Sequence, residues 1–136
     1  MGIRKRSYMV SVLILTDDEK ILIIKKNKHS TPLWKLPGGR SLSQDFLRPK
    51  RAAIDKIKFK TGITVQENQL RWVYGENRKD HNFFLYVCRL QDVSSFFPLE
   101  NIKWDGGAKF VENEEIIKID DFIKFHKILI EKHLAS

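Results

Sequence analysis

The segment that decides the fold is Trp34–Ile63, whose sequence is WKLPGGRSLSQDFLRPKRAAIDKIKFKTGI. Near its start, the proline and two glycines of Leu36–Gly39 are typical of a tight turn. A loop over residues 40–49 follows. A helix is predicted over Lys50–Thr61, because Pro49 suits the first turn of a helix and Gly62 is a typical stop signal. The apolar positions of this helix are Ala53, Ile54 and Ile57.

Strands are predicted on both sides of this segment. The apolar runs that predict them are Tyr8–Leu15, Ile21–Lys26, Arg71–Tyr74, Phe83–Leu90 and Lys109–Val111. The first two are joined by a polar turn and predict a hairpin. A C-terminal helix is predicted within Asp120–Leu134, because Phe122, Phe125 and Leu129 fall on one helical stripe. This order of elements predicts one mixed α/β domain over residues 1–136.

The same order resembles the Nudix (MutT-like) family. The resemblance rests on Leu36–Gly39 and Lys60–Ile63, on Trp34 before the turn, and on Lys109–Glu112 leading into a final amphipathic helix. It implies the Nudix fold, in which a mixed β-sheet is sandwiched between helices. It also implies a Mg²⁺-dependent pyrophosphohydrolase acting on nucleoside diphosphates linked to another group.

The helix departs from the family motif at its carboxylate positions. Counted back from Gly62, the motif arginine falls on Asp55, and the motif glutamates fall on Lys56, Phe59 and Lys60. In the family these glutamates share one helix face and hold Mg²⁺ through carboxylate oxygens. Ammonium groups offer no lone pair to a divalent cation and repel it. We therefore expect no cofactor and no metal site of the family type, and pyrophosphohydrolase activity that is absent or severely impaired.

Other carboxylates are the weak catalytic candidates. Counted forward from Gly39, an early motif glutamate falls on Asp45, and the loop is two residues longer than the family spacing. Glu112 and Glu115 lie where some family members carry a late carboxylate that assists as a base. Acidic residues also suit the solvated start of a helix, and we expect this plainer role. A divergent hydrolase using Mg²⁺ or Mn²⁺ is the alternative.

Two lysines one helical turn apart suggest a different chemistry. Lys56 and Lys60 are predicted to bind a phosphate group directly, in place of a metal bridge. Gly38 and Gly39 would allow close backbone approach, and Arg78 lies in a polar turn where it would reach a ligand. These five residues are the predicted ligand-binding set. The alternative is a decayed site whose lysines are merely solvated and whose glycines only shape the turn.

Composition narrows the functional classes. The chain carries 25 basic and 17 acidic residues, a net charge of +8, which favours anionic partners. The single cysteine, Cys88, excludes an internal disulfide and a cysteine-pair zinc site. Asp17 and Asp18 cut short the only apolar run that imitates a signal peptide, and no run has the roughly 20 apolar residues of a membrane span. We expect a cytoplasmic protein with no membrane partner.

Three functions are consistent with these features. The first is a catalytically inactive protein that binds a nucleotide or another phosphorylated small molecule, and the second is the divergent hydrolase. The third is a module that binds RNA or a protein. Most strand aromatics are expected in the core, with a base-stacking platform as the alternative; they are Trp34, Trp72, Tyr74, Phe83, Phe84 and Tyr86. Ligand identity and oligomeric state do not follow from the sequence.

Overall fold

A computed structural model describes residues 7–26, 33–41, 49–79, 81–90 and 107–134. The strands are β1 (Ser7–Thr16), β2 (Ile21–Lys26), β3 (Leu33–Lys35), β4 (Gly38–Ser41), β5 (Leu70–Asn77), β6 (His81–Leu90) and β7 (Ala108–Val111). The helices are α1 (Pro49–Thr61), α2 (Asn113–Lys118) and α3 (Lys124–Leu134), with a 3₁₀ turn at Glu67–Gln69. The predicted hairpin, the helix after the turn and the later strands are confirmed.

The strands form one mixed sheet in the order β3-β2-β1-β6-β5. β1 and β6 run parallel through the middle of the sheet, from Ser7 opposite His81 to Thr16 opposite Leu90. β4 pairs with the first half of β1, and β7 pairs with β2. Among the described residues β5 pairs only with β6, so its other side forms an edge of the part of the sheet that the structure describes.

Each face of the sheet is covered by helix, as predicted. On one face, α1 packs its buried residues Ala53 and Ile57 into a core with strand residues such as Val10, Val12 and Ile14. On the other face, the buried residues Ile116 of α2 and Leu129 and Ile130 of α3 pack with strand residues such as Leu13, Leu15 and Leu85. Burying these side chains from both faces supplies the main hydrophobic stabilisation of the fold.

The side chains of β6 alternate between the two cores. Tyr86 and Cys88 belong to the α1 side, whereas Phe83 and Leu85 belong to the α3 side, because successive side chains of a strand point to opposite faces. Burial raises the pKa of the Cys88 thiol to about 11. Because the reactive form of cysteine is the thiolate, the buried Cys88 is an inert core residue.

The C-terminal segment differs from the prediction of one helix within Asp120–Leu134. α3 begins only at Lys124, and Phe122 lies before it in a bridge with Trp34. The Trp34 N–H donates to the Asp121 carbonyl at 2.8 Å, and the Ile123 N–H donates to the Trp34 carbonyl at 3.0 Å. The backbone of residues 121–123 therefore pairs with β3 instead of continuing the helix. No helix in the described ranges is long and apolar enough to cross a membrane.

Candidate functional site

The turn at residues 36–39 is held from three directions. From β1, the Val12 N–H donates to the Pro37 carbonyl at 2.9 Å. From α3, the ring nitrogen Nδ1 of His126 accepts the Leu36 N–H at 3.1 Å. From α1, the ammonium of Lys60 donates to the carbonyl oxygen of Gly38. The backbone of this turn is therefore fixed relative to both helices.

The two glycines leave no room for side chains between this turn and its neighbours. A Cβ atom added to Gly38, whose φ is 150°, would lie 2.0 Å from the Val10 carbonyl oxygen, so only glycine fits. A Cβ added to Gly39 would lie 3.1 Å from Nζ of Lys60 and 3.2 Å from Cδ of Lys56. The side chains of both lysines therefore rest directly on Gly39.

Gly38, Gly39, Lys56 and Lys60 thus come together, and we call this group the lysine face. Both lysines are half-buried, so their stems pack on protein. An ammonium carries three N–H donors, and one of those of Lys60 goes to the Gly38 carbonyl. Gly38 and Gly39 are buried, so the part of this group that a ligand can reach is the positive charge of the two lysines, which is the chemistry that binds phosphate oxygens.

The lysine face does not fit a divalent metal. The Lys60 ammonium lies against the Gly38 carbonyl and would repel Mg²⁺. Phe59, at another glutamate position of the family motif, is 79% exposed and supplies no oxygen ligand. Among the described residues there is no group of three or more histidine, cysteine, aspartate or glutamate side chains placed to hold a metal ion.

The other predicted site residues that the structure describes lie outside β4 and α1, the elements that carry the lysine face. The Arg78 guanidinium lies 2.6 Å from an oxygen of Glu76 and stacks 4.4 Å from the ring centre of Phe125. Glu112 precedes α2 and Glu115 lies in its first turn, and both are exposed. Asp45 falls outside the residues that the structure describes.

His126 was missed by the sequence analysis. It is 6% exposed, and besides accepting the Leu36 N–H it places Nε2 3.5 Å from Oγ of Ser11. Burial, together with the nearby Lys35 charge, lowers the pKa of His126 to about 3. One feature of the sequence could have indicated that His126 is buried. It lies four residues after Phe122 and four before Ile130, which puts it in line with two apolar residues that are buried. His126 is therefore a neutral ring that positions the turn of the lysine face.

Comparisons with known proteins identify the fold. No protein-family model matches the sequence, and no curated protein matches it. One similar solved structure comes from a study of MutT from Aliivibrio salmonicida and Vibrio cholerae. It matches this chain with a TM-score of 0.76 at 17% sequence identity, and the match covers 96% of this chain and 98% of that one. The Nudix domain of Shewanella oneidensis NrtR, solved with ADP ribose, has a TM-score of 0.74 at 17% identity, covering 98% and 89%.

A longer protein matches over part of its length. The bifunctional NMN adenylyltransferase/ADP ribose pyrophosphatase of Francisella tularensis, solved with AMP and manganese, has a TM-score of 0.74 at 20% identity. The match covers 99% of this chain but only 43% of that protein. At these identities the likeness concerns the backbone and its topology, and it agrees with the mixed sheet between helices seen here. This chain has the Nudix fold.

Proposed function

We propose that this Nudix-fold protein binds a nucleotide or another phosphorylated small molecule through the lysine face, without a divalent metal and without hydrolysing it. The observation that carries the proposal is the bond from the Lys60 ammonium to the Gly38 carbonyl, with Lys56 packed beside it on Gly39. A fixed positive charge stands where the family motif would gather carboxylates around a cation.

An ammonium can replace the binding role of the metal but not its catalytic role. Both attract phosphate oxygens, so Lys56 and Lys60 supply charge-assisted hydrogen bonds to an anionic ligand. Because Lys60 is already held by the Gly38 carbonyl, less side-chain freedom is lost when a ligand binds. A lysine ammonium does not generate a nucleophilic hydroxide from water as a bound metal does. Binding without turnover is the expected consequence.

The class of ligand is supported by the net charge and by the structural relatives. The chain carries a net charge of +8, which favours anions. The Shewanella domain was solved with ADP ribose and the Francisella protein with AMP. ADP-ribose and ADP are therefore the first probes to use.

Binding of ADP-ribose is expected to be independent of divalent metal. Calorimetric titration should give the same Kd in EDTA and in Mn²⁺, because lysine and not metal holds the phosphates. Affinity should fall as salt rises from about 0.1 M to about 1 M, since the Debye length shrinks from about 10 Å to about 3 Å. Binding that appears only with Mn²⁺, or no binding of either probe in EDTA at low salt, would refute the proposal.

Pyrophosphohydrolase activity is expected to be absent or very low. The assay uses ADP-ribose, NADH, diadenosine polyphosphates, dNTPs and capped RNA, each with Mg²⁺ and with Mn²⁺. Turnover in the usual enzyme range of about 1–10³ s⁻¹ on any substrate would instead support the divergent hydrolase. Asp45→Asn is the control variant: if a trace activity survives this change at an unchanged rate, Asp45 is not its source.

A further inference from the structure

A groove runs along the β5 edge of the sheet, on the face that α1 covers. It consists of three adjoining clefts with volumes of about 310, 540 and 390 Å³. The first and second clefts share Glu67 and Asn68, and the second and third share Trp72. The clefts therefore adjoin one another, and Trp72 lies between the last two. Each has a volume in the range of sites that bind small molecules, but the row as a whole is elongated.

Trp72 presents a fixed aromatic surface to this groove. Trp72 is 56% exposed, whereas the other aromatic residues of the described strands are buried or half-buried. A Cβ added to Gly75 would lie 3.3 Å from Cζ2 of Trp72 and 3.5 Å from Cδ1 of Phe84, so the indole rests over the glycine and beside the Phe84 ring. A bulge after Trp72 shifts the register, which brings Gly75 opposite Phe84. The missing side chain at Gly75 makes room for the ring.

Two basic and two acidic residues line the groove, and one of the two acidic residues is already paired. Lys50 and Arg51, at the start of α1, line the second and the first cleft respectively. Glu76 lines the third, but its carboxylate accepts hydrogen bonds from the Tyr74 hydroxyl at 2.7 Å and from Arg78 at 2.6 Å, so its charge is compensated. Glu67 opposes the two cations. Amide side chains along the groove belong to Gln66, Asn68, Asn77 and Asn82.

We infer that this groove binds single-stranded nucleic acid, with an unpaired base stacked on Trp72 and backbone phosphates near Lys50 and Arg51. An exposed aromatic face beside cations in an extended channel is the combination by which proteins hold single strands with little sequence preference. A row of three clefts suits a linear polymer better than a single nucleotide. A duplex keeps its base faces stacked internally and offers none to Trp72.

The groove is separate from the lysine face. Gly39 pairs with Val10, Val10 with Phe84 and Phe84 with Gly75, so Gly39 and Gly75 lie in one row across four strands. At about 4.8 Å between neighbouring strands, they are about 14 Å apart. The inference therefore goes beyond the function proposed above, and either can fail without the other.

The test is fluorescence anisotropy with labelled oligo(dT) and oligo(U) of about 12 nucleotides. Trp72→Ala should weaken binding roughly 5- to 150-fold, the usual range for loss of one stacked base, whereas Trp72→Phe should keep most of the affinity. Phe59→Ala removes another exposed aromatic side chain, outside the groove, and should bind as the wild type does. Binding should also quench tryptophan fluorescence in the wild type and not in Trp72→Phe.

Affinity should rise steeply from AMP to a hexanucleotide. Such a rise distinguishes a groove that binds several linked nucleotides from a site that binds only one. Lys56→Ala/Lys60→Ala should stay within about threefold of the wild type for the oligonucleotide, as expected for a site that these lysines do not line. Unchanged binding in Trp72→Ala would overturn the inference. Equal competition by a duplex or by polyglutamate of the same length would also overturn it, because charge alone would then account for binding. A larger loss in the lysine variant than in Trp72→Ala would place the strand on the lysine face.

Discussion

Replacing both Lys56 and Lys60 with alanine is expected to weaken ADP-ribose binding by about 150-fold or more. Each hydrogen bond between a charged group and its partner contributes about 1.5–3 kcal/mol, so two contribute at least about 3 kcal/mol. Every 1.4 kcal/mol is a tenfold change in Kd. The measurement is calorimetry in EDTA at low salt, with circular dichroism to show that the variant is folded.

The matched control is Lys118→Ala/Lys124→Ala, which removes the same amount of charge from exposed positions on α2 and α3. Lys127 is unsuitable as a control because its ammonium donates to the Ile119 carbonyl at 2.8 Å. A much smaller loss of affinity is expected for the control. If the two variants lose affinity equally, the lysine face is only part of a diffuse basic surface, and the proposed site is wrong.

The elements that local sequence specifies were predicted well. α1 was expected over Lys50–Thr61 and is observed over Pro49–Thr61, because its start and stop signals lie in the helix itself. The helix ends where Gly62 takes a φ of 79° and donates to the Lys58 carbonyl at 2.9 Å. Strands β3 and β4 and the late start of α3 were not predicted. All three features depend on backbone pairing between residues that are distant in sequence, as Trp34 pairs with residues 121–123.

The sequence predicted which residues belong to the candidate site, but it did not predict the contacts between them. Helical spacing put Lys56 and Lys60 on one face, and the motif put Gly39 near them. The bond from Lys60 to the Gly38 carbonyl joins residues 22 positions apart, and no local pattern specifies it. Arg78 was grouped with the site only because it lies in a polar turn, and its guanidinium contacts Glu76 and Phe125.

His126 shows how the turn of the lysine face depends on a distant helix. Its Nδ1 accepts the Leu36 N–H across 90 residues of sequence, so the neutral ring must carry its proton on Nε2, towards Ser11. Protonation of Nδ1 would break the bond to Leu36 and would place a charge among apolar residues. Phe83 and Phe125 lie close by, with ring centres 6.5 and 6.1 Å from that of His126. The fold therefore strongly favours the neutral form.

Stability is accordingly expected to fall as the pH drops below about 6.5, before most carboxylates titrate. The folded state keeps His126 neutral down to a pKa of about 3, whereas the unfolded chain takes up the proton near its ordinary pKa of 6.5. Between these two pKa values the unfolded state binds more protons than the folded state. The contribution of His126 to the free energy of unfolding is therefore complete above pH 6.5 and is lost as the pH falls towards 3. At about 1.4 kcal/mol per pH unit, roughly 2–3 kcal/mol should be lost between pH 6.5 and 4.5.

Urea unfolding at several pH values measures this slope, and His126→Gln should flatten it while keeping an oxygen able to accept the Leu36 N–H. His133, whose pKa is also lowered by burial, is only partly buried against Tyr74. His133→Gln should therefore change the slope less, which makes it the comparison variant. If His126→Gln keeps the full wild-type slope, His126 is not the group that titrates. The folded protein keeps His126 neutral over this range, so its bond to the Leu36 N–H persists, and ADP-ribose affinity in EDTA should not decline through His126 between pH 6.5 and 4.5.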